Sequence, residues 1–89
     1  MNLVYARSYP SARTFALHHD LMPGDWKWIS DPGVIRQHSR ADVYVAPDWC
    51  GHPRREDIDP ALQRALKSHR LGAVNDCSQG TTTLGVSGA

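Results

Sequence analysis

Short apolar runs alternate with helix-type spacing along most of this chain, and the clearest apolar run lies at residues 41–46. Val43, Tyr44 and Val45 are consecutive β-branched or aromatic residues, which favour strands. Three apolar side chains in a row indicate a strand that is covered on both faces, as in a parallel sheet between helices. Pro47 ends the run, because proline donates no backbone hydrogen bond to a sheet.

The rest of the pattern predicts strands and helices in alternation. Ser8 and Asp31 each precede a proline in what would be a first helical turn, which is typical of an N-cap. Asp59 followed by Pro60 marks a third helix start in the same way. The predicted elements are a strand at 2–7, a helix at 9–21 ended by Pro23-Gly24, a strand within 25–30, a short helix ending near 39, a strand at 42–46 and a helix at 59–70 with Gly72 just beyond it.

This alternation predicts an α/β domain over residues 1–77. We expect a small three-stranded, mainly parallel sheet with two main helices and one short helix, a Rossmann-like half-domain. Antiparallel pairing of the second and third strands is the competing topology, since only about twelve residues connect them. Residues 73–74 offer a short fourth strand. Residues 78–89 are rich in Gly, Ser and Thr, and we expect a flexible tail there, with an exposed β-segment as the alternative.

Composition narrows the function classes. The 89 residues form one small domain, and a net charge of +1 disfavours binding to nucleic acid or membrane through bulk electrostatics. No signal peptide is apparent, and no apolar stretch approaches the roughly 20 residues that span a bilayer. Two cysteines make no disulfide framework. We therefore expect a soluble cytoplasmic protein with reduced thiols and no membrane association.

The turn after the first strand is a candidate phosphate site. A strand–loop–helix joint presents free backbone N–H groups and the positive end of a helix dipole. The candidate phosphate-binding residues are Arg7, Ser8, Ser11 and Arg13. The turn holds no glycine, and neither nucleotide-binding glycine signature is present. Simple capping of the helix explains the same residues, so both interpretations stay open.

The loop after the strand at 42–46 is the second candidate site, because ligands in open α/β sheets bind beyond the carboxyl ends of strands. An aromatic anchor beside arginines is typical of a protein–protein hot spot. The candidate partner-binding residues are Tyr9, Asp48, Trp49, Arg54 and Arg55. Cys50 and His52 lie in the same loop but lack the spacing of a zinc site, so we expect no metal and no cofactor. At least two of the three tryptophans are expected in the core.

The sequence resembles small accessory proteins of actinobacterial phages over residues 3–49. The residues that carry the resemblance are Tyr5-Ala6-Arg7-Ser8, Ala12, Ala16, the run from Gly24 to Pro32, Ile35-Arg36 and Val43-Tyr44-Val45. Some phage proteins of this size bind and redirect a host protein, and some are toxic to the host. The resemblance implies a phage-encoded binding module in the host cytoplasm and carries over no catalytic residue.

Two function classes follow. The first is a small non-enzymatic binding module that acts on a host or phage protein, since no complete set of nucleophile, base and orienting group can be identified. The alternative is a nucleotide-binding or nucleic-acid-binding protein with a degenerate phosphate-binding strand–loop–helix.

Overall fold

The structure is a computed structural model that describes residues 1–77. Four strands form one parallel sheet in the order β2-β1-β3-β4. The elements are β1 (Asn2–Tyr5), α1 (Tyr9–His18), β2 (Trp26–Trp28), α2 (Pro32–Gln37), β3 (Asp42–Val45), a 3-10 turn (Trp49–Gly51), α3 (Arg55–Lys67) and β4 (Val74–Asp76).

Helices cover both faces of the sheet. Alternate residues of β1 and β3 point to opposite faces. Leu3 and Val43 lie in the same buried cluster as Ile35 of α2 and Ile58 of α3. On the other face, Val4 of β1 lies in a cluster with Ala12 and Phe15 of α1. Tyr44 of β3 packs against this second cluster, so the prediction that the strand at 42–46 is covered on both faces is confirmed.

The prediction of an α/β domain with a parallel sheet and three helices is also confirmed, but the prediction of three strands is wrong. β4 is a fourth strand and pairs with β3, with Val43 opposite Val74. Val43 N–H donates to the carbonyl of Ala73 at 2.9 Å, and Ala73 N–H donates to Asp42 Oδ1 at 2.9 Å. All three residues of β4 are exposed, so backbone pairing rather than apolar burial forms this strand, and its sequence carries little hydrophobic signal.

The predicted boundaries of the third helix are also wrong. α3 begins at Arg55, four residues before the predicted Asp59 cap, and Pro60 lies inside the helix. The backbone N–H groups of Asp57 and Ile58 both donate to the carbonyl of Arg54 at 3.0 Å, so the first turn is complete before the proline. Asp59 therefore does not cap α3, and its side chain makes a different contact that is described below.

No helix within residues 1–77 has the length and apolarity needed to cross a membrane. The predicted tail at 78–89 lies outside the described residues.

Candidate ligand site at the carboxyl edge of the sheet

The order of the strands reverses between β1 and β3. From β1 the chain passes to β2 on one side, then returns across β1 to β3 and continues outward to β4. Tyr5 and Val45, at the carboxyl ends of β1 and β3, are direct neighbours. The segments that follow them lead to helices on opposite faces of the sheet. A crevice forms at such a reversal, and ligands of open α/β sheets bind there.

A groove of about 910 Å³ occupies this position on the α1 side. We call it the carboxyl-edge groove, and its volume is typical of small-molecule sites, which hold about 300–1,000 Å³. Its polar lining comes from the turn after β1, from both ends of α1 and from the loop after β3. The lining residues used below are Arg7, Ser8, Ser11, Phe15, His18, His19 and Asp48.

Asp48 is the centre of the polar contacts in the carboxyl-edge groove. The Ser11 hydroxyl donates a hydrogen bond to Asp48 Oδ2. The Arg7 Nε lies 3.4 Å from the same oxygen, and the Arg7 side chain is 64% exposed. Within the described residues, the buried Oδ1 of Asp48 has no hydrogen-bond partner. Residues from both predicted sites therefore meet at one carboxylate, which retains capacity for a further donor.

Ser8 caps α1, as the sequence predicts. Its side-chain oxygen accepts a hydrogen bond from the Ser11 backbone N–H at 3.3 Å. Three of the four candidate phosphate-binding residues, Arg7, Ser8 and Ser11, line the carboxyl-edge groove. Arg13 does not, because it lies on the side of α1 that lines a different groove beside β2.

An aromatic wall that the sequence reasoning missed continues the groove along α1. The rings of Phe15 and His19 stack with centroids 4.1 Å apart, and Tyr44 meets Phe15 edge-on at 6.2 Å. His19 is exposed beside the buried Phe15. Phe15 and His19 follow Ser11 at steps of four and eight, so helical spacing from Ser11 identifies these two residues, whereas Tyr44 lies on β3 and no helical spacing reaches it.

A smaller recess of about 260 Å³ lies on the α3 side of the same edge. The Tyr5 hydroxyl donates to Asp59 Oδ1 at 2.7 Å, and the Tyr5 ring contacts Trp49 at 5.5 Å between centroids. Burial of the Tyr5 ring raises the pKa of its hydroxyl, and the hydrogen bond to the Asp59 carboxylate raises that pKa further. The sequence reasoning assigned Asp59 to a cap and therefore missed this pair.

The five candidate partner-binding residues do not line one surface. Tyr9 lines the groove beside β2, Asp48 lines the carboxyl-edge groove and Trp49 lines the Tyr5 recess. Trp49 is half-buried and packs against the core on the α3 side. Arg54 and Arg55 are exposed, and Arg54 lies 3.4 Å from Asp57.

Cys50 and His52 are not placed as a reactive pair. Cys50 is exposed, whereas His52 is only 4% exposed and both of its ring nitrogens are engaged. His52 Nε2 lies 2.8 Å from the Ile29 carbonyl, and His52 Nδ1 accepts from the Arg54 N–H at 2.9 Å. Within residues 1–77, no three His, Cys, Asp or Glu side chains come together as a metal site.

Comparison of the chain with protein-family models, with curated proteins and with solved structures gives no match.

Proposed function

We propose that this protein binds a nucleotide in the carboxyl-edge groove, without a chemical step. The observation that carries the proposal is the meeting of Arg7, Ser11 and Asp48 at the reversal between β1 and β3. The strand order β2-β1-β3-β4 is shared with open doubly wound sheets that bind nucleotides at this reversal. On that basis we also propose that the fold belongs to the Rossmann-like class.

The charges of the groove suggest where each part of the ligand binds. The Asp48 carboxylate lies beside the first turn of α1, where a phosphate would otherwise bind, so a phosphate there would be repelled. A carboxylate beyond the carboxyl end of a strand is suited to accept hydrogen bonds from ribose hydroxyls, although dinucleotide-binding sheets carry that carboxylate on a different strand. The exposed guanidinium of Arg7 at the rim offers charge-assisted hydrogen bonds to a phosphate. The His19 ring offers a flat surface for the base.

The test is calorimetric titration of the full chain with purine and pyrimidine nucleotides and their nucleosides. We expect at least one nucleotide to bind with micromolar affinity. Arg7→Ala should weaken nucleotide binding at least tenfold and abolish most of its salt dependence, because it removes the phosphate contact, and should leave nucleoside binding nearly unchanged. Asp48→Ala should weaken nucleotide and nucleoside alike.

Arg13→Ala is the matched control, because Arg13 lies on the same helix but lines a different groove. It should retain wild-type nucleotide affinity. Absence of binding at millimolar ligand, or equal losses in Arg7→Ala and Arg13→Ala, would overturn the proposal. Thermal melts of each variant separate a lost contact from a lost fold.

A further inference from the structure

A second groove, of about 460 Å³, lies between α1 and the edge strand β2. We call it the β2-edge groove. Its lining combines aromatic and aliphatic side chains with two cations, and the residues that matter are Tyr9, Arg13, Leu17, Leu21, Trp26 and Lys27. None of these residues lines the carboxyl-edge groove.

The apolar side chains of this groove are unusually accessible. Tyr9 is 53% exposed and Leu17 is 65% exposed. The Tyr9 ring stacks on Trp26, with centroids 5.8 Å apart and planes inclined by 22°. Stacking fixes both rings before any partner arrives, so little side-chain entropy is lost on binding. Fixed aromatic residues beside an arginine are the side chains that dominate protein–protein interfaces.

The strand beside the groove has an open edge. Within the described residues, β2 pairs only with β1. The Asn2 N–H donates to the Asp25 carbonyl and the Ile29 N–H donates to the Val4 carbonyl, both at 2.9 Å. Residues 25 and 29 therefore face β1, and strand alternation places the peptide groups of Trp26 and Trp28 on the outer side. An extended segment could pair with those groups and extend the sheet.

Charge selects the kind of partner. Among residues 1–77, Arg13 and Lys27 are the charged residues that line the groove, and both are cationic. A peptide with one or two carboxylates complements them. A polyanion such as single-stranded nucleic acid also suits aromatic residues and cations, but two cations neutralise few phosphates along a strand. The aliphatic lining likewise favours a peptide over a nucleic acid.

We propose that the β2-edge groove docks an extended segment of a partner protein, which pairs with the open edge of β2 and presents apolar side chains with one or two carboxylates. The apolar side chains pack against Tyr9, Leu17 and Trp26. The carboxylates pair with Arg13 and Lys27. This interface is separate from the proposed nucleotide site, so either assignment can fail without the other.

The test is selection of a displayed library of random twelve-residue peptides on the full chain, followed by affinity measurements on the selected synthetic peptide. We expect selected peptides in which apolar residues alternate with one or two acidic residues. Arg13→Glu and Tyr9→Ala should each weaken binding at least tenfold, and Leu17→Ser should give the same loss in a residue too exposed to unfold the domain. Arg64→Glu, on the exposed side of α3, is the matched charge-reversal control and should bind as wild type.

Backbone methylation tests the strand pairing directly. Two versions of the peptide are compared, one methylated on the odd-numbered amides and one on the even-numbered amides. One version should lose binding and the other should keep it, because only every second amide faces β2. The proposal would be overturned if no peptide were enriched, if basic peptides were enriched, or if single-stranded DNA bound more tightly than any peptide. It would also be overturned if the wild type self-associated and Arg13→Glu did not, because the occupant would then be a second copy of the chain.

Discussion

His52 joins the end of β2 to the start of α3 through a single buried ring. Its Nε2 donates to the Ile29 carbonyl at 2.8 Å, and its Nδ1 accepts from the Arg54 N–H at 2.9 Å, which assigns the proton to Nε2. The ring also lies 5.3 Å from the Trp28 ring, between centroids. One buried carbonyl and one part-buried N–H thus depend on this side chain, and each would lose its partner if the side chain were removed.

We predict that His52→Ala lowers the free energy of unfolding by about 2–4 kcal/mol, from two unpaired backbone groups and a small cavity. His52→Asn keeps an acceptor for Arg54, and His52→Gln keeps a donor for Ile29, so both should fall between wild type and alanine. Urea unfolding measures the series. His18→Ala, at an exposed position, serves as the control; a loss in His52→Ala no larger than in His18→Ala would show that these bonds contribute little.

At this scale the sequence predicts local contacts well and distant ones poorly. The caps Ser8 and Asp31 were predicted, because a cap bonds a backbone group two or three residues away, here Ser11 and Gly33. The Ile29 carbonyl that pairs with His52 lies 23 residues away in the chain, and the Asp59 partner of Tyr5 lies 54 residues away. No spacing rule reaches such pairs, since they depend on how the strands and helices pack.

Among the elements, α1 and α3 are each followed by a left-handed residue that is not glycine. Asp20, two residues after the end of α1, has φ 57°, and His69, two residues after the end of α3, has φ 54°. The Leu21 N–H then donates to the Ala16 carbonyl, and the Arg70 N–H to the Ala65 carbonyl, both at 2.9 Å. These bonds close Schellman motifs, which usually carry glycine.

The predicted helix ends at residues 21 and 70, with Gly24 and Gly72 beyond them, are therefore each three residues late. Gly24 does adopt a positive φ of 91°, but in the loop that follows α1. Gly72 lies against Asp42 and the backbone of residues 40 and 41, so a Cβ there would clash. Position 72 thus requires glycine because its backbone lies close to the start of β3, and not because it ends a helix.

We predict that Asp20→Gly and His69→Gly each stabilise the fold by about 0.5–1 kcal/mol, because glycine removes the steric cost of the left-handed conformation. A gain of this size raises the melting temperature by a few degrees in a domain of this length. Gln63→Gly, in the interior of α3, is the opposite control and should lower it. Lower melting temperatures for both Asp20→Gly and His69→Gly would contradict the assigned helix ends.

Across the whole molecule, the sheet order decides which distant residues meet. Alternation of strands and helices predicted the fold class and the parallel sheet, since each crossover needs a helix between parallel strands. The alternation alone does not determine on which side of β1 the strand β2 lies. That position creates the reversal that brings Arg7 and Asp48 together, so the candidate site was predicted as two separate turns rather than as one groove.

The Tyr5–Asp59 hydrogen bond links β1 in the centre of the sheet to α3. We predict that it makes the stability of the fold decrease at alkaline pH. The pKa of Tyr5 is raised above its ordinary value of 10.0, so above about pH 10 the folded state keeps a proton that the unfolded state releases. The free energy of unfolding then falls with rising pH, by up to about 1.4 kcal/mol per pH unit.

Tyr5→Phe should cost about 1–2 kcal/mol at neutral pH, where the hydrogen bond is intact. It should lose less stability than wild type from about pH 10 upward, because the titrating group is gone. Urea unfolding at pH steps measures both effects. Tyr9→Phe retains Tyr5 and should keep the wild-type alkaline slope, whereas an unchanged slope in Tyr5→Phe would assign the alkaline loss to other groups.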